Sequence, residues 1–545
     1  MTADREGLAD RLDVFINALL PHWPARQGAV ALLHADGSVE AWGFGEADAS
    51  PDRLFQVGSI TKSFVSVVVH QCVDEGLLSL DDDITTLLPW ADLGAGGRPT
   101  RVRDLLAHTT GLILGGDGVP DEGLQLWWLR DLERSADPAP HFHYSNVGYM
   151  LLGLAVEAVT GRSFDEVVSE RVLTPLGMVR SRGCTPDFDA MLMAEGTWPV
   201  NRSVPWRPGE PIERAVWLPT TATDGCVLSS ARELAAFARL LLGDGSVDGV
   251  RLLSPESMSS ITSPAAPEGE TIVALRGLAD VTMSRYGLGV NVEEIGGHHC
   301  VTHGGGMIGF QTFLLVDRTA GVAAVGFTNA NGNFPLGQVI ARAAHALLLD
   351  PDAALPAPSD AVALPEFAEG WLGTFISDAD PDLTIEVSRA STTTLTLRST
   401  LGDGTLTRVW SGRFVCDVPG LRTFHWDAAD DGWTHGPHRF RTTAGQTVAR
   451  VHSDVVGTYR SHTAWYPWLR VVEREGALFL AAPGGVEAPE AEEPLVPVGE
   501  GAWRIGADNW LPERLVRGPV VNGRAVSVLR DGVPYSRTEE RVTSA

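Results

Sequence analysis

The chain has 545 residues, 44% of them hydrophobic and 20% charged, an ordinary globular composition that excludes wholesale disorder and leaves room for two to four domains of about 100–200 residues each. Its formal net charge of −27 excludes a broad nucleic-acid or anionic-membrane surface, because phosphate backbones reward Lys and Arg. The 42 basic side chains comprise 41 arginines and a single lysine, Lys62, where a chain of this length ordinarily carries on the order of 30 lysines.

The first ten residues contain no basic stretch followed by an apolar one, and no run approaches the roughly 18 apolar residues that span a bilayer. The five cysteines (Cys72, Cys184, Cys226, Cys300, Cys416) are odd in number, far apart and without a Cys-x-x-Cys pair. That usage reads as buried free thiols in a reducing cytoplasm.

In chain order, Ala29 to Leu33 reads as an apolar strand. The segment Phe55-Gln-Val-Gly-Ser59-Ile-Thr-Lys62 then runs into the apolar Phe64-Val-Ser-Val-Val-Val, which takes helical form. On a helix, residues i and i+3 share a face, so Ser59 and Lys62 can hydrogen-bond. A serine hydroxyl becomes a nucleophile only when something accepts its proton, and a lysine can do so when burial or neighbouring cations lower its pKa. Placing Ser59 at the helix start adds free backbone N–H groups that favour developing negative charge.

Trp127 and Trp128 are an aromatic pair that could line a pocket or belong to the core. Tyr144-Ser-Asn146 precedes an apolar helix beginning near Gly148, and Ala231 to Leu242 has helical period. His303-Gly-Gly305-Gly306 opens a strand, Phe310 to Val316. Ser-x-x-Lys, Tyr-Ser-Asn and His-x-Gly in this order match the penicillin-recognising signature, in which the second and third elements close the pocket. His298, His299, His303, His141 and His143 fit no zinc-ligand spacing, so no metal and no cofactor is expected. His108 reads as part of a structural loop.

From Asp350 a proline-rich stretch reads as a linker, and beyond it helix-period segments give way to short alternating runs such as Leu383–Val387, Thr394–Arg398, Trp468–Val472 and Ala525–Leu529. Leu372-Gly-Thr-Phe375 returns as Val456-Gly-Thr-Tyr459, a weak repeat that predicts two similar β-domains. The expected organisation is therefore a catalytic α/β domain over 1–349, a linker over 350–366, and antiparallel β-barrels over 367–452 and 453–545.

Phe-x-x-Gly-Ser-x-Thr-Lys, Val102-Arg-Asp-Leu-Leu-Ala-His-Thr-Thr-Gly-Leu112, Tyr-Ser-Asn-x-Gly-Tyr, Gly161-Arg-Ser-Phe and Pro175-Leu-Gly-Met178 together resemble the class C β-lactamase and penicillin-binding-protein-like serine hydrolases, over about residues 25–345. The two trailing β-domains resemble those of the D-stereospecific aminopeptidases, which carry two lipocalin-like barrels. The resemblance implies a β-lactamase-like α/β fold, a serine hydrolase that releases N-terminal D-amino acids from short peptides, amides or esters, and a homodimer; a β-lactamase-like esterase, amidase or carboxypeptidase-type hydrolase and a ligand sensor that acylates without turnover are the alternatives. It implies Ser59 as the acylated nucleophile, Lys62 as its proton relay, Tyr144 as the partner base, and Asn146 as a hydrogen-bond donor to the substrate carbonyl. His303 stands where related enzymes place a lysine, which reduces the fixed charge facing a substrate carboxylate. Backbone N–H groups of Ser59 and Gly306, with Gly305 beside them, would form the oxyanion hole. An aminopeptidase must also hold an α-ammonium, and Glu487, Glu490, Glu492 and Glu493 lie near a loop that reaches the active site in the D-aminopeptidases. A solvated acidic loop is the competing reading of those glutamates.

Overall fold

The computed structural model describes residues 2–91, 99–115, 141–270, 275, 277–330, 335–357, 362–365, 368–442, 453–482 and 492–538. The chain divides into two compact units. The first draws on residues 1–198, 214–331 and 335–355, and the second on 199–213 and 356–545.

The first unit is built on a seven-stranded antiparallel sheet. Its strands are β1 (Gln27–Leu33), β2 (Val39–Gly45), β3 (Val281–Tyr286), β4 (Asn291–Ile295), β5 (His298–Met307), β6 (Phe310–Asp317) and β7 (Val322–Thr328), in the order β2-β1-β7-β6-β5-β4-β3. The alternating faces of β1, β6 and β7 are almost wholly buried. Helices pack against these strands, consistent with their lack of polar alternation.

Among the described residues the longest helices of this unit are α1 (Thr2–Leu19), α2 (Thr61–Asp74), α3 (Asn146–Thr160), α4 (Ala231–Leu242) and α5 (Leu336–Leu349). The valines of α2 disfavour helix intrinsically because their branched side chains lose χ1 freedom. Burial overrides that preference, since every residue from Thr61 to Cys72 is buried. At the start of α3, Ser145 caps the helix by accepting the Gly148 N–H, and Gly161 ends it in the left-handed region at φ 68°. Helix α5 packs on β6 and β7, and α4 on β1 and β7.

Among the described residues, no helix is long and apolar enough to cross a membrane. The glycine triplet sits one strand earlier than the sequence suggested. His303 to Gly306 lie inside β5, and Gly309, at φ 77°, turns the chain into β6. An all-glycine stretch has no side chains to give period-two alternation, so the hydrophobic pattern began only at Phe310.

The second unit contains two closed antiparallel barrels of eight strands each. The first runs from Gly373–Ser377 to His438–Arg441 and the second from Gly457–Arg460 to Val533–Arg537. The repeat noted in the sequence opens each barrel, and its aromatic residue, Phe375 or Tyr459, is fully buried. Phe375, Trp426, Trp433 and Phe440 fill the first barrel's interior, as an eight-stranded barrel allows. Their indoles remain satisfied: Trp426 Nε1 donates to the Leu421 carbonyl and Trp433 Nε1 to the Trp371 carbonyl, both at 3.0 Å. The run Ala525–Leu529 is broken into Arg524–Ala525 and Ser527–Arg530, only the latter belonging to the barrel. Residues 199–213 join this unit because Arg207 and Glu210 pair with Asp417 and Arg422, and the Ser203 carbonyl accepts from Arg470.

Candidate active site

Ser59 lies in a single 3₁₀ turn, Gly58–Ile60, that feeds directly into α2. Fixed anchors hold this turn and helix. The Thr61 hydroxyl accepts the Val227 N–H at 3.0 Å, and Ser63 Oγ donates to the Gly289 carbonyl at 2.8 Å. One turn on from Ser59, the fully buried Lys62 extends its Nζ to Ser59 Oγ at 2.9 Å and to the Asp224 carbonyl at 2.8 Å.

Two glycines set how closely β5 approaches the turn. Gly58 has φ 56°, and a Cβ there would lie 2.7 Å from both Gly306 N and Gly306 O. A Cβ on Gly305 would fall 1.9 Å from the Val57 carbonyl oxygen, far inside contact distance. Thr312 on β6 adds a hydrogen bond from its hydroxyl to the same Val57 carbonyl at 2.8 Å. The backbone of the Ser59 turn therefore rests directly on Gly305 and Gly306.

Tyr144 and Asn146 arrive from the start of α3. Lys62 Nζ lies 4.9 Å from the centre of the Tyr144 ring and 5.6 Å from that of Tyr149, so the side-chain nitrogen faces two aromatic rings. The Tyr-Ser-Asn segment is held by the loop carrying His108. The His143 and Ser145 amides donate to the His108 carbonyl at 2.8 Å and to its Nδ1 at 3.0 Å, and the Asn146 amide donates to the Leu114 carbonyl at 2.7 Å. His108 itself has φ 56°, in the left-handed region, and its ring stacks on Tyr144 with centroids 4.2 Å apart.

His303 is buried, and both of its ring nitrogens are engaged. Nδ1 is 2.6 Å from the Gly304 carbonyl and Nε2 is 2.8 Å from Tyr286 Oη. A carbonyl can only accept, so Nδ1 carries the proton and Nε2 accepts from the Tyr286 hydroxyl. Burial, with Lys62 nearby, drives the His303 pKa down to about 3, so the imidazole is neutral. Burial, then Lys62, His303 and His143, also hold His108 well below its ordinary value, and burial raises Tyr149 and Tyr286. Lys62 thus sits among neutral rings.

Trp127, Trp128, Glu487 and Glu490 lie outside the described residues. Glu492 is engaged by Arg474 through both terminal guanidinium nitrogens. Burial raises the pKa of Glu493, which Arg530 partly offsets. Sequence reasoning left two contributors unassigned. Tyr149 stands in the Tyr-Ser-Asn-x-Gly-Tyr motif and could have been read from it, whereas Tyr286, at the end of β3, carried no local signal.

Residues 16–349, more than half of the chain, match the family described as Beta-lactamase. The chain belongs to the β-lactamase family. Among curated relatives of this β-lactamase-family protein, the D-aminopeptidase of Brucella ovis is 25% identical over 536 residues, 92% of this chain and 90% of that protein. Penicillin-binding protein 4 of Amycolatopsis lactamdurans is 28% identical over 324 residues, 55% of this chain and 80% of that one. The octameric penicillin-binding protein homologue from Pyrococcus abyssi shares the fold, with a TM-score of 0.56 and 23% identity over 79% of this chain and 99% of that one. This β-lactamase-family chain is accordingly a serine hydrolase, with a β-lactamase-like domain followed by two closed barrels.

Proposed function

We propose that the protein is a D-aminopeptidase, releasing N-terminal D-amino acids from short peptides, amides or esters through an acyl-enzyme on Ser59. The neutral, fully engaged His303 carries the reading. Hydrolases that act on a substrate's C-terminal residue need a fixed cation for its carboxylate, and the imidazole here presents none. The likeness to the Brucella ovis D-aminopeptidase across both barrels supports the same reading.

In this mechanism Lys62, as free amine, takes the Ser59 proton while Oγ attacks the substrate carbonyl carbon. The resulting oxyanion is held by the Ser59 and Gly306 backbone N–H groups, a contribution of a few kcal/mol to the transition state. Tyr144 passes a proton to the leaving amine, and Lys62 and Tyr144 act as a coupled pair. Asn146 orients Lys62 and the substrate carbonyl. Water then attacks the acyl-enzyme by the reverse route, returning the proton to Ser59. The five cysteines, all free, fit a reducing cytoplasm.

A family esterase or amidase without need of an α-amino group is the second reading, favoured by the engagement of Glu492 with Arg474. The two separate on kcat/KM for D-alanine p-nitroanilide, its N-acetylated form and the L-enantiomer, with Ser59→Ala as control. An aminopeptidase loses about tenfold or more, equivalent to about 1.4 kcal/mol, on acetylation. Equal rates for the free and acetylated substrates reject it in favour of the esterase.

A further inference from the structure

On the opposite stretch of β5 from the glycine triplet, three elements bring metal-binding side chains together. His298 and Cys300 are two residues apart on β5 and so share a face. Asp317, on β6, stands directly across from Cys300 in the strand register. His345 comes from α5, which packs on β6. Asp317 Oδ2 lies 2.7 Å from His298 Nδ1 and 2.8 Å from His345 Nε2. One donor atom each from Cys300, Asp317 and His345 falls within 4.8 Å of the others, the only such group of three among the described residues.

We propose that Cys300, Asp317, His345 and His298 form a binding site for a divalent transition-metal ion of the zinc type. A thiolate, two imidazoles and a carboxylate suit a borderline-soft ion, whereas magnesium and calcium take oxygen donors. Tetrahedral zinc lies about 2.0–2.3 Å from such ligands; the Cys300, Asp317 and His345 donors already converge within 4.8 Å, and His298, held to Asp317, would be the fourth ligand. The carboxylate is already oriented for this, because its other oxygen accepts the Thr319 and Ala320 amides at 2.9 and 2.8 Å. Such outer contacts are what fix metal ligands in place.

Charge also balances. Binding expels the Cys300 thiol proton, and each ligating imidazole carries its proton on the ring nitrogen that does not face the ion. A dication with one thiolate and one carboxylate is then electroneutral, as a buried site requires. Asp317 is fully buried, while the His298 side chain is 30% exposed and offers the entry path. The bound ion would staple α5 to β5 and β6, on the strand that carries His303 to Gly306. Spacing rules could not find this site, because its ligands come from three separate elements.

The test uses the full-length, untagged protein purified without chelator. Elemental analysis is expected to return close to one equivalent of zinc. After chelator treatment, cobalt(II) should restore a near-ultraviolet thiolate-to-cobalt charge-transfer band that is missing in Cys300→Ser. His345→Gln and the peripheral His298→Ala should weaken cobalt binding at least about tenfold, with His298→Ala serving where a buried substitution fails to fold. Absence of the charge-transfer band in the native chain overturns the proposal. So does metal that binds equally well to the native chain, Cys300→Ser and His298→Ala.

Discussion

His108 grips Ser145 by a single hydrogen bond, its Nδ1 accepting the Ser145 backbone N–H at 3.0 Å while its ring stacks on Tyr144 at an interplanar angle of 29°. With Nδ1 accepting, the imidazole proton is on Nε2. The left-handed backbone at His108 aims both the ring and the carbonyl that takes the His143 amide. Without touching the reacting atoms, this residue sets where Tyr144 and Asn146 stand.

Replacing His108 by alanine removes the acceptor and the ring that stacks on Tyr144, while the positive-φ strain is common to both residues. A displacement of Tyr144 by about 1 Å is expected to cost on the order of a hundredfold in kcat, with KM little changed. His108→Asn tolerates the left-handed region and keeps an acceptor oxygen, so it should recover part of the loss. If kcat is the same in His108→Ala as in the native enzyme, the positioning role is wrong.

Lys62→Arg asks whether the amine moves a proton or only supplies charge. Guanidinium keeps its proton at any working pH, so the variant should lose about 10²–10⁴-fold in kcat with an unaltered circular dichroism spectrum. Since Lys62 is the chain's one lysine and is fully buried, amine-selective reagents should leave the native lysine unlabelled and gain one adduct on unfolding. Substantial activity in Lys62→Arg would mean another group accepts the Ser59 proton.

Gly304 and Gly305 are neighbours with opposite expectations. A Cβ at Gly304 meets only the Phe313 ring, at 3.6 Å, whereas at Gly305 it runs into the Val57 carbonyl at 1.9 Å. Gly305→Ala should push the Ser59 turn away from β5, destabilising the fold by about 1–3 kcal/mol and lowering kcat. Gly304→Ala should leave the melting temperature unchanged and act, if at all, on KM. Equal melting temperatures for the two variants would show that the turn yields to the extra methyl.

Much of the proposed site was legible because the chemistry proposed for it demands particular residues at fixed spacing. Ser59 and Lys62 must share a helix face, and Tyr144 and Asn146 must start a helix, so local sequence carries them. The barrels were legible through period-two runs and a repeated Gly-Thr-aromatic opening. What local sequence does not carry is convergence. Tyr286 meets His303 because a strand ends beside it, and Cys300, Asp317 and His345 meet only once β6 and α5 are in place. Nor does it carry the left-handed φ of His108, since histidine has no intrinsic need of that conformation.

Two buried groups in the second unit titrate in opposite senses. His435, stacked on Trp426 at 4.5 Å and near His425 and His438, is driven by burial down to about 3 from an ordinary 6.5. The unfolded chain therefore takes up this proton first, and the associated stability, present above about pH 6.5, is lost as pH falls towards 3. Asp531 is pushed the other way, from 3.8 up to about 7, by burial and by Glu513, with Arg530 and Arg514 opposing. Here the unfolded chain ionises first, so stability present below about pH 3.8 is lost as pH rises through 7. Each group can tilt the profile by at most about 1.4 kcal/mol per pH unit. Urea unfolding from pH 4 to 8 should show His435→Phe flattening the acid limb and Asp531→Asn, which keeps an acceptor for the Arg514 N–H, flattening the alkaline one. Parallel profiles for Asp531→Asn and the native chain would mean that Asp531 is ionised at neutral pH and that its neighbours, not burial, set its charge.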